Sequence, residues 1–98
     1  MRVDCQFLKN IGVSIGLVAY HGNGNHREGR EYPNLTVSIK ADGTGYFAYL
    51  FTGEAEREAV TAMVGDLERA FDSFGIAYSP TGAVVIDGMT AYEYEIEA

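Results

Sequence analysis

Polar and apolar positions alternate over most of this chain and recur at three- and four-residue steps over one stretch only. In "IGVSIGLVAY", Ile11, Val13, Ile15, Leu17 and Ala19 share one face of an extended chain, while Gly12, Ser14, Gly16, Val18 and Tyr20 share the other. Period two with β-branched residues predicts a half-buried strand over 11–20, with Gly16 marking a bend or bulge. A short strand is expected before it, around Val3 to Leu8, with a turn at Lys9-Asn10. "LTVSIKA" alternates again, with Leu35, Val37 and Ile39 inward and Thr36, Ser38 and Lys40 outward. Asp42-Gly43 then signals a hairpin, because both residue types tolerate the positive φ of tight turns. The returning strand, "YFAYLF" at 46–51, is apolar or aromatic on both faces, which predicts a central strand covered on both sides.

The helical period appears in "TGEAEREAVTAMVGDLERAFDSFG", where Ala59, Val60, Met63, Val64, Leu67, Ala70, Phe71 and Phe74 fall on one stripe. The predicted helix covers about residues 53–74. Thr52 or Gly53 would cap it, Glu54 and Glu56 suit its first turn, and Gly75 ends it as a left-handed glycine. Gly65 in its middle costs about 1 kcal/mol relative to alanine. Three short strands follow at 76–79, 83–86 and 90–97, with "SPTG" and "DG" as the turns. In the last of them Tyr92, Tyr94 and Ile96 face one way, and Glu93, Glu95 and Glu97 the other. The expected architecture is α+β: a two-layer domain in which a single helix packs on one face of an antiparallel sheet of about five to seven strands. One helix cannot cover such a sheet. Either Tyr46, Ala48 and Leu50 or Phe47, Tyr49 and Phe51 must therefore line a partly bare face.

Length and charge narrow the functional classes. A chain of 98 residues is expected to form one domain, and 47% hydrophobic residues suffice for a core. The formal net charge of -7 argues against direct nucleic-acid binding and against anionic membranes. The charge is uneven: five basic and four acidic residues lie in 1–50, two basic and ten acidic in 51–98. A single cysteine, Cys5, allows no internal disulfide and fits a reducing compartment. Asp4 and Lys9 break up the N-terminal stretch, which lacks the apolar run of a signal peptide, and Ile11 to Tyr20 is about half a membrane span. A cytoplasmic location is expected.

Candidate chemistry concentrates in "HGNGNHREGREYPN" at 21–34. His21 and His26, with Glu28 and Glu31, would be the only ligand set for a metal-dependent enzyme, but structural zinc sites usually add cysteines and none lie here. The glycines match neither a dinucleotide nor a Walker phosphate pattern, and Arg27 and Arg30 are each followed by a glutamate. Cys5 has no neighbouring base, and no nucleophile elbow or HExxH motif occurs. The expectation is a protein that is not an enzyme and has no metal or cofactor, with 21–34 as a recognition loop in which Arg27, Arg30 and Tyr32 make contacts.

The carboxylates are the most pronounced feature. Glu54, Glu58, Glu68 and Asp72 are expected along the polar stripe of the helix, spanning roughly 27 Å, and Glu93, Glu95 and Glu97 form a second row at about 6.5–7 Å intervals along a strand. Such rows can imitate a phosphate backbone and steer encounter with a basic partner. Seven tyrosines and five phenylalanines add residue types favoured at interfaces. In this character (short, acidic, tyrosine-rich and poor in motifs) the chain resembles small phage-encoded inhibitors of bacterial defence, such as anti-CRISPR proteins. That resemblance implies a binding protein that blocks a larger, basic, nucleic-acid-handling protein or nucleoprotein complex. The charge rows make Glu54, Glu58, Glu68, Asp72, Glu93 and Glu95 its expected contacts. The alternative is a homodimeric structural or regulatory module that pairs through the bare sheet face and binds a ligand at 21–34.

Overall fold

The structure, a computed structural model, describes residues 3–17 and 30–97. Their elements run α1 (Cys5–Ser14), β1 (Asn34–Ile39), β2 (Gly45–Phe51), α2 (Arg57–Ser73), β3 (Tyr78–Ile86) and β4 (Met89–Glu97). The four strands form one antiparallel sheet in the order β1-β2-β4-β3. The α+β class and the antiparallel sheet agree with the pattern of the chain. The count of five to seven strands and the single helix do not: the described residues hold four strands and two helices.

The first difference is at the N-terminus, where α1 replaces the strand expected around Val3 to Leu8 and the start of the one expected over 11–20, whose residues 18–20 lie outside the described residues. Asp4 is its cap, in extended conformation, and its carboxylate accepts from the Phe7 N–H at 2.9 Å. Leu8, Ile11 and Gly12 are buried, and Ile15 packs beside them. These positions follow the three- and four-residue steps of a helix. Val13, which alternation placed with Ile11 and Ile15, is 50% exposed. Gly16, at φ +91°, closes the helix: its N–H bonds Val13 O and the Leu17 N–H bonds Gly12 O. Gly75, at φ +69°, does the same for α2, with the Ile76 N–H on Phe71 O, so the predicted stop is where the chain turns.

A second difference lies in β3. "IAYS" and "AVVI" belong to one strand, and "SPTG" is a bulge between Pro80 and Gly82, not a turn. β3 is an edge strand, which is where a proline lacking an N–H is tolerated. Asp87-Gly88 makes the expected hairpin turn to β4, with both residues at positive φ.

Both helices pack on the same face. Leu8 and Ile11 from α1 and Leu67 and Phe71 from α2 join Leu35, Ala48, Leu50, Tyr94 and Ile96 in one core. Gly12 lets α1 approach β1 closely, since a Cβ there would sit 3.0 Å from Leu35 Cβ. Phe7 and Phe74 meet edge-on at 5.7 Å between the helices. Phe71, Tyr78 and Tyr94 form a ring cluster with centroids 5.3–6.0 Å apart. Ile39, expected inward, is 66% exposed, because the cover ends before the β1–β2 turn. No helix among the described residues is long and apolar enough to cross a membrane.

Candidate docking surface on the sheet

Strand alternation decides which aromatics turn away from the two described helices. Tyr46, Ala48 and Leu50 turn toward the helices, so Phe47, Tyr49 and Phe51 turn away. In β4, Tyr92, Tyr94 and Ile96 turn inward, and Glu93 and Glu95 outward, as expected. Register then pairs Phe47 with Glu95, Tyr49 with Glu93 and Phe51 with Ala91. The Phe51 end is closed: Phe51, Met89 and Ala91 are buried in a small second cluster. At the other end Phe47 and Tyr49 are only half-buried. The result is a band of two aromatic rings, 6.3 Å apart, each beside a carboxylate.

The β1–β2 turn sets a cation on this band. Asp42 accepts from the Thr44 N–H at 3.0 Å and the Thr44 hydroxyl at 2.7 Å, which holds the turn and keeps the Asp42 carboxyl below its usual range. The turn brings Lys40 Nζ to 5.3 Å from the Phe47 ring centre and 3.4 Å from Glu95 Oε1. A shallow depression of about 300 Å³ lies between Lys40, Asp42, Phe47 and Glu95. One step along, the Thr81 hydroxyl donates to Glu93 Oε1 at 2.6 Å. Burial, together with a hydrogen bond to Glu93 and its charge, raises the Tyr49 hydroxyl above its usual pKa. Thr81 reaches Glu93 because it is the extra residue of the β3 bulge.

The helix carboxylates are arranged differently from the expected stripe. α2 begins at Arg57, so Glu54 lies in the turn before it, and Glu56 occupies the cap position without a side-chain capping bond. Glu58 is exposed in the first turn, favourably placed for the helix dipole. Glu68 does not lie opposite the core. It is half-buried, and its Oε2 accepts from the hydroxyl of fully buried Tyr94 at 3.0 Å. Burial and this carboxylate push the Tyr94 hydroxyl well above its ordinary pKa. Asp72 is exposed beside Tyr78, whose hydroxyl is also raised, by burial and then by the charges of Asp72 and Glu68. Asp66, on the same helix, is paired with Arg69. The helix packs on the tyrosine face of β4, so the Glu93–Glu95 row and the α2 carboxylates lie on opposite sides of the sheet.

Arg30 and Tyr32 sit at the end of the sheet remote from Lys40. The backbone at Glu31 and Tyr32 passes Gly53, and the Arg30 guanidinium lies near Gly88. Arg30 and Glu31 are helical, Tyr32 and Pro33 are irregular, and Asn34 is buried as the first residue of β1, so the expected 21–34 loop is not irregular to its end. His21, His26, Arg27 and Glu28 lie outside the described residues. Among the described residues no group of three or more His, Cys, Asp or Glu is gathered as a metal site. Cys5 is a half-buried free thiol in the first turn of α1, not a strand residue.

The carboxylates Glu93 and Glu95 were visible in the sequence, but their partners Lys40, Phe47, Tyr49 and Thr81 were not. The signal that connects them is the β2–β4 register, which joins segments about fifty residues apart. Fold and surface together describe a two-layer α+β domain whose sheet, on the face turned away from the two described helices, carries half-buried aromatics beside carboxylates. Compared with known protein families, curated proteins and solved structures, the chain matches none.

Proposed function

We propose that this chain is a non-enzymatic binding protein that docks the outward face of β2 and β4 on a basic surface of a larger nucleic-acid-handling partner and blocks it. The observation that carries this reading is the cross-strand pairing of Phe47 with Glu95 and Tyr49 with Glu93 on the face turned away from the two described helices. Aromatic area at the centre of a patch supplies affinity, and carboxylates beside it supply selection for a basic partner. Exposed Glu58 and Asp72, with Glu54 before the helix, add to the negative field that steers encounter. Arg30 and exposed Tyr32, at the end of the sheet remote from Lys40, are secondary contacts in this reading. Glu68 contributes charge to the field while its oxygen stays bonded to Tyr94. Inhibition of a bacterial defence complex of the anti-CRISPR kind, in the cytoplasm, is the biological setting this reading favours.

The experiment is a capture from host lysate followed by competition. The expected partner is a nucleic-acid-binding protein whose nucleic acid is displaced by this chain, with affinity that falls steeply as salt rises. Glu93→Lys with Glu95→Lys should abolish displacement and leave the fold intact by circular dichroism. Displacement that is indifferent both to salt and to this double reversal contradicts the proposal.

A further inference from the structure

We propose that the outward face reads arginine: Lys40 fills one aromatic–carboxylate seat formed by Phe47 and Glu95, and Tyr49 with Glu93 forms a second, adjacent seat. The occupant is an extended, arginine-bearing segment of a partner protein. The inference rests on the docking reading above and names the chemistry the partner must present.

Lys40 shows what the first seat takes. Its ammonium lies over the Phe47 ring at 5.3 Å and against Glu95 at 3.4 Å, an arrangement in which ring quadrupole and carboxylate both attract one cation. Tyr49 and Glu93 repeat the pair one step along the same strands. At the second seat, Thr81 holds the Glu93 carboxylate at 2.6 Å. The Tyr49 hydroxyl also bonds Glu93. A carboxylate offers about four acceptor directions, so with these two taken Glu93 keeps capacity for an incoming donor. The two seats repeat every second residue, about 6.5–7 Å along an extended chain. That is the spacing of side chains i and i+2 in an extended peptide, so alternate arginines of one segment meet successive seats.

Arginine suits the seats better than lysine. A guanidinium stacks flat on a ring while its fork bonds a carboxylate at two points, whereas an ammonium makes a point contact. Lys40 is therefore a resident that arginine can displace, since a partly exposed lysine–carboxylate pair is weakly held. Charge complementarity supports the occupant, because the chain carries a net -7 and Glu93 and Glu95 lie on this face.

The test is fluorescence anisotropy with two short dye-labelled peptides of equal charge, one alternating arginine with serine and the other lysine with serine. The arginine peptide is expected to bind about tenfold more tightly. Lys40→Met empties the first seat and should tighten arginine-peptide binding about threefold or more. Lys9→Met, which changes the net charge equally but lies on α1, should leave binding within about twofold. Lys40→Gln is the second emptying variant if Lys40→Met melts early. Equal affinity for the two peptides, or equal gains from the Lys40 and Lys9 variants, overturns the proposal and leaves only bulk charge attraction. If neither peptide binds while Glu93→Lys with Glu95→Lys still releases the captured partner, the arginine seats fall and the docking reading stands. Light scattering that shows a dimer broken by Glu95→Lys also overturns the proposal, since the face would then pair with itself.

Discussion

Replacing Glu68 by alanine should damage the fold, although the residue lies on the helix flank where a surface carboxylate is expected. Its Oε2 accepts from the Tyr94 hydroxyl at 3.0 Å, and Tyr94 is only 1% exposed. Without the carboxylate, that hydroxyl faces a truncated side chain among Phe71 and Tyr78. A buried donor left without its acceptor costs about 1–3 kcal/mol, and about 2 kcal/mol is a fair centre. In a domain of this size that lowers Tm by about 8–16 °C. Glu58→Ala is the control. That side chain is exposed, and its loss should cost about 0.5 kcal/mol or less. Urea melts followed by circular dichroism give both values. A double-mutant cycle with Tyr94→Phe isolates the pair: once the hydroxyl is gone, Glu68→Ala should cost no more than about 0.5 kcal/mol, leaving a coupling of about 1–2 kcal/mol. If Glu68→Ala is as mild as Glu58→Ala, or if the two costs simply add, the contact is not holding the helix to the sheet.

Gly65→Ala should stabilise the protein by up to about 1 kcal/mol, because the new Cβ meets only the flexible end of Arg69, 3.2 Å away; an unchanged or lower urea midpoint would contradict this. Gly12→Val should cost about 1–3 kcal/mol, since its Cβ starts 3.0 Å from Leu35 Cβ and α1 must move off β1; a thermal melt reads the loss. Stability should fall as pH rises past about 10. Burial and the neighbouring carboxylates raise the hydroxyls of Tyr94, Tyr78 and Tyr49 in the folded state above the ordinary 10.0. The unfolded chain then releases protons that the folded chain keeps, so the full stability is present below pH 10 and is lost as pH rises toward the folded values. Urea midpoints measured between about pH 8 and 11 should be level and then decline, and Tyr94→Phe should make the decline shallower.

How legible these features were depends on whether one element or several had to be read. β2 and α2 were readable because each carries one unmixed signal, continuous apolarity in "YFAYLF" and an apolar stripe from Val60 to Phe71 closed by Gly75. Periodicity alone does not separate α1 from a strand, because Ile11 and Ile15 satisfy both period two and period four. The deciding signal was Asp4, three residues before the N–H it caps. β3 was split in two because "SPTG" has turn chemistry. On an edge strand the missing Pro80 N–H costs no ladder bond, and Gly82, at φ +114°, absorbs the extra residue. The acid rows were legible as composition. What no single segment shows is which carboxylates are free. Glu68 is tied to Tyr94, and Glu95 to Lys40, only through contacts between distant elements.

The central claim is that the face shared by Phe47, Tyr49, Glu93 and Glu95 is where this protein meets its partner. Amide chemical-shift mapping during titration with the arginine–serine peptide tests it most directly. The account predicts that the largest shifts fall on Lys40, Phe47, Tyr49, Glu93 and Glu95, with α2 nearly silent. Shifts centred on Glu58 and Asp72, or spread evenly over every acidic residue, would contradict it.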